Sequence, residues 1–292
     1  MHRFIISLLA MGSLAAEPEF RLQPDPAKLA SPAVNEASGL AVSPTDPGFL
    51  WMVNDSGGTP EIHLSGTDGT ARGSVKIADA QNKDWEDLAA FTLDGKPYLL
   101  IADTGDNGSS RKSCNLYIVR EPNFPSEGKS VSGEIPINWK ISFSYEDGPR
   151  DCESVAVDVK AGKIILVSKR TDPPGVYELP LQPGENPVAR KIGTTVTDAA
   201  GFGLGIAFRN QPTGMDISAD GSMAAIVTYA GVFLFKLGAD ESLADALGRK
   251  PQFLGLHNLA QAESVAFTAD GKSIFVVSER RNSPIVRYNA AE

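Results

Sequence analysis

Glu263-Ser264-Val265-Ala266-Phe267-Thr268-Ala269-Asp270-Gly271-Lys272, running on into the apolar stretch 273–277, decides the fold. It reads as a short strand, a tight turn and a second strand. Asp-Gly supplies the positive φ that a hairpin turn needs, and β-branched and aromatic residues flank it. The same pattern recurs upstream. Thr213-Gly214-Met215-Asp216-Ile217-Ser218-Ala219-Asp220-Gly221 leads into 223–227 and matches at Ser218/Thr268, Ala219/Ala269, Asp220/Asp270 and Gly221/Gly271. Glu153-Ser154-Val155-Ala156-Val157 leads through Gly162-Lys163 to 164–167, and Glu86-Asp87-Leu88-Ala89-Ala90 leads through Asp94-Gly95-Lys96 to 98–101. Ser38-Gly39-Leu40-Ala41-Val42 leads through a Pro-Thr-Asp-Pro-Gly turn to 49–53, which makes five units.

Each unit continues into a third strand, at 61–64, 116–119, 175–179, 232–235 and 285–288, and the first four into a fourth, at 73–78, 135–145, 189–196 and 251–257. The fifth unit runs out of chain, while the segment 19–23 precedes the first unit and has no place in it. In a ring, that N-terminal strand completes the last unit. The expectation is therefore an all-β β-propeller of four-stranded blades, with five blades and a ring closed by the N-terminal strand. A count of six follows if 197–208 forms a degenerate extra blade. A β-sandwich accounts for the strands but not for the repeat.

Residues 1–16 carry a positive start, an apolar run at 4–14 and small residues Ser13, Ala15 and Ala16, the pattern of a secretory signal peptide. The run is too short to span a bilayer. This predicts a periplasmic or extracellular protein, monomeric, with one propeller domain over 17–292. A net charge of -9 argues against nucleic acid and anionic membrane surfaces as partners. The two cysteines, Cys114 and Cys152, are either a disulfide of an oxidising compartment or two separate buried thiols.

The polar motifs fall on one face, where the chain enters each first strand and leaves each second strand. Glu36, Asp55, Glu86, Glu153, Lys169, Arg170, Glu263 and Arg280 gather there as candidate ligand-binding residues. Asp103-Thr104-Gly105-Asp106-Asn107 is the densest oxygen-bearing group. Asp103, Asp106 and Asn107, with Asp84, are the candidate metal ligands, of a kind that suits calcium or magnesium. The competing reading is structural: Asp and Asn cap turns, and carboxylates pair with Arg150, Lys169, Arg170 or Arg280 to lock neighbouring blades. His63 reads as a packed strand residue, and His257 as a satisfied loop histidine or an acid/base group. No Gly-x-Ser-x-Gly elbow supports a serine triad. Gly201-Phe202-Gly203-Leu204-Gly205 lacks the context of a phosphate loop.

Glu-Ala-Ser-Gly-Leu (36–40), Asn-Asp-Ser-Gly (54–57), Asp-Trp-Glu-Asp-Leu (84–88), Asp-Thr-Gly-Asp-Asn (103–107), Asp-Cys-Glu-Ser (151–154) and Ser-Lys-Arg (168–170) resemble a group of uncharacterised bacterial secreted propeller proteins. More distantly the chain resembles calcium-dependent propellers of the gluconolactonase/SMP-30 and phytase-like classes. The SMP-30 resemblance implies one divalent ion at the channel mouth, with Glu36, Asn107, Glu153 and Asp216 standing in for its ligands. The acidic chain departs from the basic phosphate cleft of a phytase. Two functions remain open: binding of a small polar ligand or protein partner at the mouth through a divalent cation, and metal-dependent hydrolysis of a lactone or phosphoester, with Glu36 or Glu153 as base.

Overall fold

The computed structural model describes residues 20–124, 130–184, 186–198 and 210–291. Two short strands come first, β1 (Phe20–Leu22) and β2 (Ala27–Lys28). The first meander is β3 (Ala37–Val42), β4 (Phe49–Asn54), β5 (Glu61–Gly66) and β6 (Ala71–Ile77). The second is β7 (Trp85–Leu93), β8 (Lys96–Asp103), β9 (Cys114–Arg120) and, after the two-residue β10 (Glu134–Ile135), β11 (Trp139–Tyr145). The third is β12 (Cys152–Asp158), β13 (Lys163–Ser168), β14 (Gly175–Pro180) and β15 (Val188–Thr194). The fourth is β16 (Pro212–Ile217), β17 (Met223–Thr228), β18 (Val232–Lys236) and, past the single helical turn α1 (Leu243–Leu247), β19 (Gln252–Phe253). The last is β20 (Ala262–Phe267), β21 (Ser273–Ser278) and β22 (Pro284–Ala290).

The fold is all-β and of the propeller kind. Within each meander the strands pair antiparallel in chain order. Asp94 and Gly95 both hold positive φ between the paired residues Leu93 and Lys96, a two-residue turn whose twist matches that of its strands. The innermost strands touch in the order β3, β7, β12, β16 and β20, and β20 also touches β3. Five apolar clusters fill the spaces between successive meanders. One, containing Leu40, Met52, Ala266, Phe275 and Val277, joins the fifth meander to the first. At the N-terminus β1 pairs antiparallel with β22, Phe20 opposite Ala290 and Leu22 opposite Tyr288. Glu19 of the expected strand, and residues 1–16, lie outside the described residues.

The outer strands depart from the sequence reading in two places. The stretch 135–145 was expected as one strand, but its start turns away: β10 pairs in parallel with β6 of the first meander, and only β11 joins the second. An outer strand with free amides attracts such a cover. The fourth strand of the fourth meander is only two residues long, because α1, capped by Ser242, occupies the connection before it. Residues 199–209 lie outside the described residues, and with them most of the 197–208 stretch of a sixth blade and the whole Gly201–Gly205 loop. Cys114 and Cys152 are free thiols buried in one apolar cluster, and burial pushes them up to about 11 and about 12.

Candidate functional site

Every innermost strand carries an irregularity at the same register. Pairing skips one residue at Ser38, Glu86, Glu153, Thr213 and Glu263. A β-bulge leaves its extra residue out of the ladder and re-aims its side chain. The five bulges thus set five polar side chains around one end of the axis. The hydroxyls tie adjacent strands: Ser38 Oγ donates to the Glu86 carbonyl at 2.9 Å, and Thr213 Oγ1 to the Ala262 carbonyl at 2.7 Å. The glutamates are left to the mouth.

Two groups of carboxylates converge there and share Glu86. In Asp55–Asp84–Glu86, and again in Glu86–Asp151–Glu153, one oxygen per residue lies within 4.8 Å of the others. Asp55 follows β4, and Asp84 and Asp151 each stand two residues before a bulged glutamate. Gly105 makes room for this approach. A Cβ there would collide with the carboxylates of Glu86 and Asp84. Gly105 is therefore there for space, since its φ is not positive.

The two groups differ in their counter-charges. Asp151 accepts from Arg170 Nε at 2.6 Å and from the Asp106 N–H at 2.9 Å, and Glu153 is ion-paired with the buried Lys169. Among the described residues no Lys or Arg is ion-paired with Asp55, Asp84 or Glu86. Burial, reinforced by the Asp55 charge, pushes Asp84 up to about 6. Burial raises Glu86 well above the usual carboxylate range, with Glu153 and Asp55 adding repulsion. Burial lifts Glu153 to about 7 against the opposing pull of Lys169. Desolvation works against the Lys169 charge, but Glu153 outweighs it and raises the ammonium above its ordinary value. Lys169 also donates to Tyr229 Oη at 3.2 Å, and Tyr229 in turn donates to Glu263 at 2.7 Å. Burial, then Glu279 and Glu153, raises Glu263 to about 9.

Of the four candidate metal ligands, the structure brings only Asp84 into such a group. Asp103 is ion-paired with Arg111 at 3.0 Å and accepts the Asp84 N–H. Asp106 accepts the Arg111 N–H at 2.7 Å and so caps its own turn. Asn107 accepts from Arg170. Of the candidate ligand-binding residues, Asp55, Glu86 and Glu153 converge, with Lys169, Arg170 and Glu263 linked around them. Glu36 is exposed beside Asp55, and Arg280 is exposed and donates to Gln261 at 2.9 Å. Asp216 does not join Glu36, Asn107 and Glu153; it lines a cavity at the other end of the inner strands. His63 and His257 are buried, and His257 bonds through both ring nitrogens to backbone at Thr228 and Leu259.

Two residues were missed. Asp151 was legible in the repeated Asp-x-Glu spacing of 84–86 and 151–153. Asp87 was legible once the bulges are aligned, because its register holds Gly39, Ser154, Gly214 and Ser264 elsewhere. Its carboxylate accepts the N–H groups of Leu88 (2.8 Å), Val155 (2.8 Å) and Met215 (3.1 Å), reaching across the axis directly below the mouth.

No protein-family model matches the chain, and no curated protein does. Among solved structures it is similar to a gluconolactonase of Xanthomonas campestris, at 12% identity and a TM-score of 0.48, over 87% of this chain and 72% of that one. It is similar also to the WD40 repeats of RRP9, at 12% identity and a TM-score of 0.45, over 93% of this chain and 100% of that one. The chemistry of the mouth follows from its own side chains.

Proposed function

We propose that this chain is an exported, five-bladed propeller, its ring closed by β1, that binds a small polar ligand at the mouth through a divalent cation held by Asp55, Asp84 and Glu86. The observation that carries this reading is the contrast between the two carboxylate groups. Asp151 and Glu153 already have ion-paired cationic partners, whereas among the described residues Asp55, Asp84 and Glu86 converge with no ion pair. Carboxylates crowded in a half-buried cup tend to hold protons unless a cation replaces them, and hard oxygen donors suit calcium or magnesium. Arg170 and Lys169 then offer donors to an anionic or hydroxylated ligand beside the ion.

A second reading, metal-dependent hydrolysis of a lactone or phosphoester, is favoured by Glu153. Its carboxyl sits at about 7, next to the shared Glu86, where it can accept a proton near neutral pH. A bound divalent cation would supply Lewis-acid polarisation of the scissile oxygen. Lys169 holds Glu153 in place, and Tyr229 links it to Glu263.

The test is thermal unfolding in EDTA and across a Ca²⁺ or Mg²⁺ titration. A melting temperature that climbs with ion concentration in the wild type, and stays flat in Glu86→Gln and Asp55→Asn, is the expected result. No shift at millimolar ion would overturn the cation. With the cation established, turnover in a lactone and phosphoester panel, lost in Glu153→Gln, decides for the hydrolase.

A further inference from the structure

The axis holds a second cavity, of about 190 Å³, reached from the end that bears the hairpin turns. Its wall is one register of the innermost strands: Val42, Ala90, Val157, Ile217 and Phe267. One residue earlier, four strands carry Ala41, Ala89, Ala156 and Ala266, and β16 carries Asp216 in the same place. The carboxylate faces the cavity. It accepts the N–H groups of Ile217 and Phe267, both at 2.8 Å, one on each oxygen, which leaves further lone pairs on both. Among the described residues no Lys or Arg is ion-paired with it. Lys160 stands on the rim, exposed, and Asp158 beside it caps the Ala161 N–H at 2.9 Å.

Three of the rim hydroxyls are already committed as donors, and Thr92 is exposed at the outer edge. Ser43 donates to Glu121 at 2.5 Å, Ser218 to Asp220 at 2.7 Å and Thr268 to Asp270 at 2.6 Å. The cavity therefore presents an acceptor, with apolar walls around it. A complementary ligand brings donors, a positive charge and an apolar body. The volume corresponds to about six waters at ~30 Å³ each, room for a group of the size of butylamine or benzylamine. Asp87 bonds to β12 and β16 between this cavity and the acidic mouth.

We propose that this cavity is a second ligand site, which takes a small primary amine with its ammonium on Asp216 and its apolar body against Val42, Phe91, Val157, Ile217 and Phe267. The site does not depend on the cation reading of the mouth. Benzylamine titrated into the full chain at pH 8, where both the ammonium and the Asp216 carboxylate are charged, and followed by calorimetry and by amide chemical shifts, tests it. Saturable millimolar binding is expected, with shifts centred on Ile217 and Phe267, at least about tenfold weaker for the isosteric benzyl alcohol and for Asp216→Asn, and the same in Ca²⁺ as in EDTA. Equal binding of amine and alcohol, absence of saturation, or an affinity that follows Ca²⁺ would overturn it. The amine–alcohol comparison uses the unaltered chain, so the test stands even where Asp216→Asn fails to fold.

Discussion

Gly105 lies against two carboxylates, and the smallest added side chain measures what that approach is worth. Gly105→Ala forces a methyl into Glu86 and Asp84. The expected cost is about 1–3 kcal/mol, as for other overpacked sites, seen as a lower urea midpoint. Asp216 gives a separate pH signature. Burial pushes its carboxyl from an ordinary 3.8 to about 7. The unfolded chain releases this proton near pH 4 while the folded chain keeps it, so stability is complete below that pH and falls as pH rises toward 7. The loss contributed by this one group is up to about 4 kcal/mol. Chemical denaturation at pH 5 and pH 8 should show a smaller difference between the two in Asp216→Asn than in the wild type.

Among the elements, the bulged inner strands do most to shape both ends of the axis. Asp87 joins three of them by receiving amides from β7, β12 and β16. Asp87→Ala leaves those buried donors unpaired, and a cost of about 3 kcal/mol is expected, read as a fall in melting temperature. The repeat made the strands legible: the pattern from Ser38 through Glu263 placed all five first strands, and Asp-Gly at 94–95 placed a turn. The register of Glu86, Glu153 and Glu263 was visible too. What the sequence did not disclose was partnership. Asp103 and Asp106 are as rich in oxygen as any metal loop, yet Arg111 engages both, and Arg111 had been given no role. Composition shows which groups are present along the chain. It does not show which of them are already engaged by a neighbour in the folded chain.

At the scale of the whole molecule, the N-terminal strand β1 is held on the last meander by three residue pairs with β22. Phe20 is buried among Phe267, Val276 and Tyr288, and its strand is only three residues long. Phe20→Ala should cost about 3 kcal/mol, and far more than the same change at exposed Leu22. Scanning calorimetry of the two variants distinguishes a strand that holds the ends together from one that merely lies on them. The second and third meanders are joined differently. Parallel pairing of Ser144 with Val188 and Tyr145 with Ala189 fuses them into one eight-stranded sheet. Under load or partial denaturation these two meanders should behave as a single cooperative block. Slow amide exchange should extend across β9, β11 and β15 together, and the molecule should come apart at its other seams first.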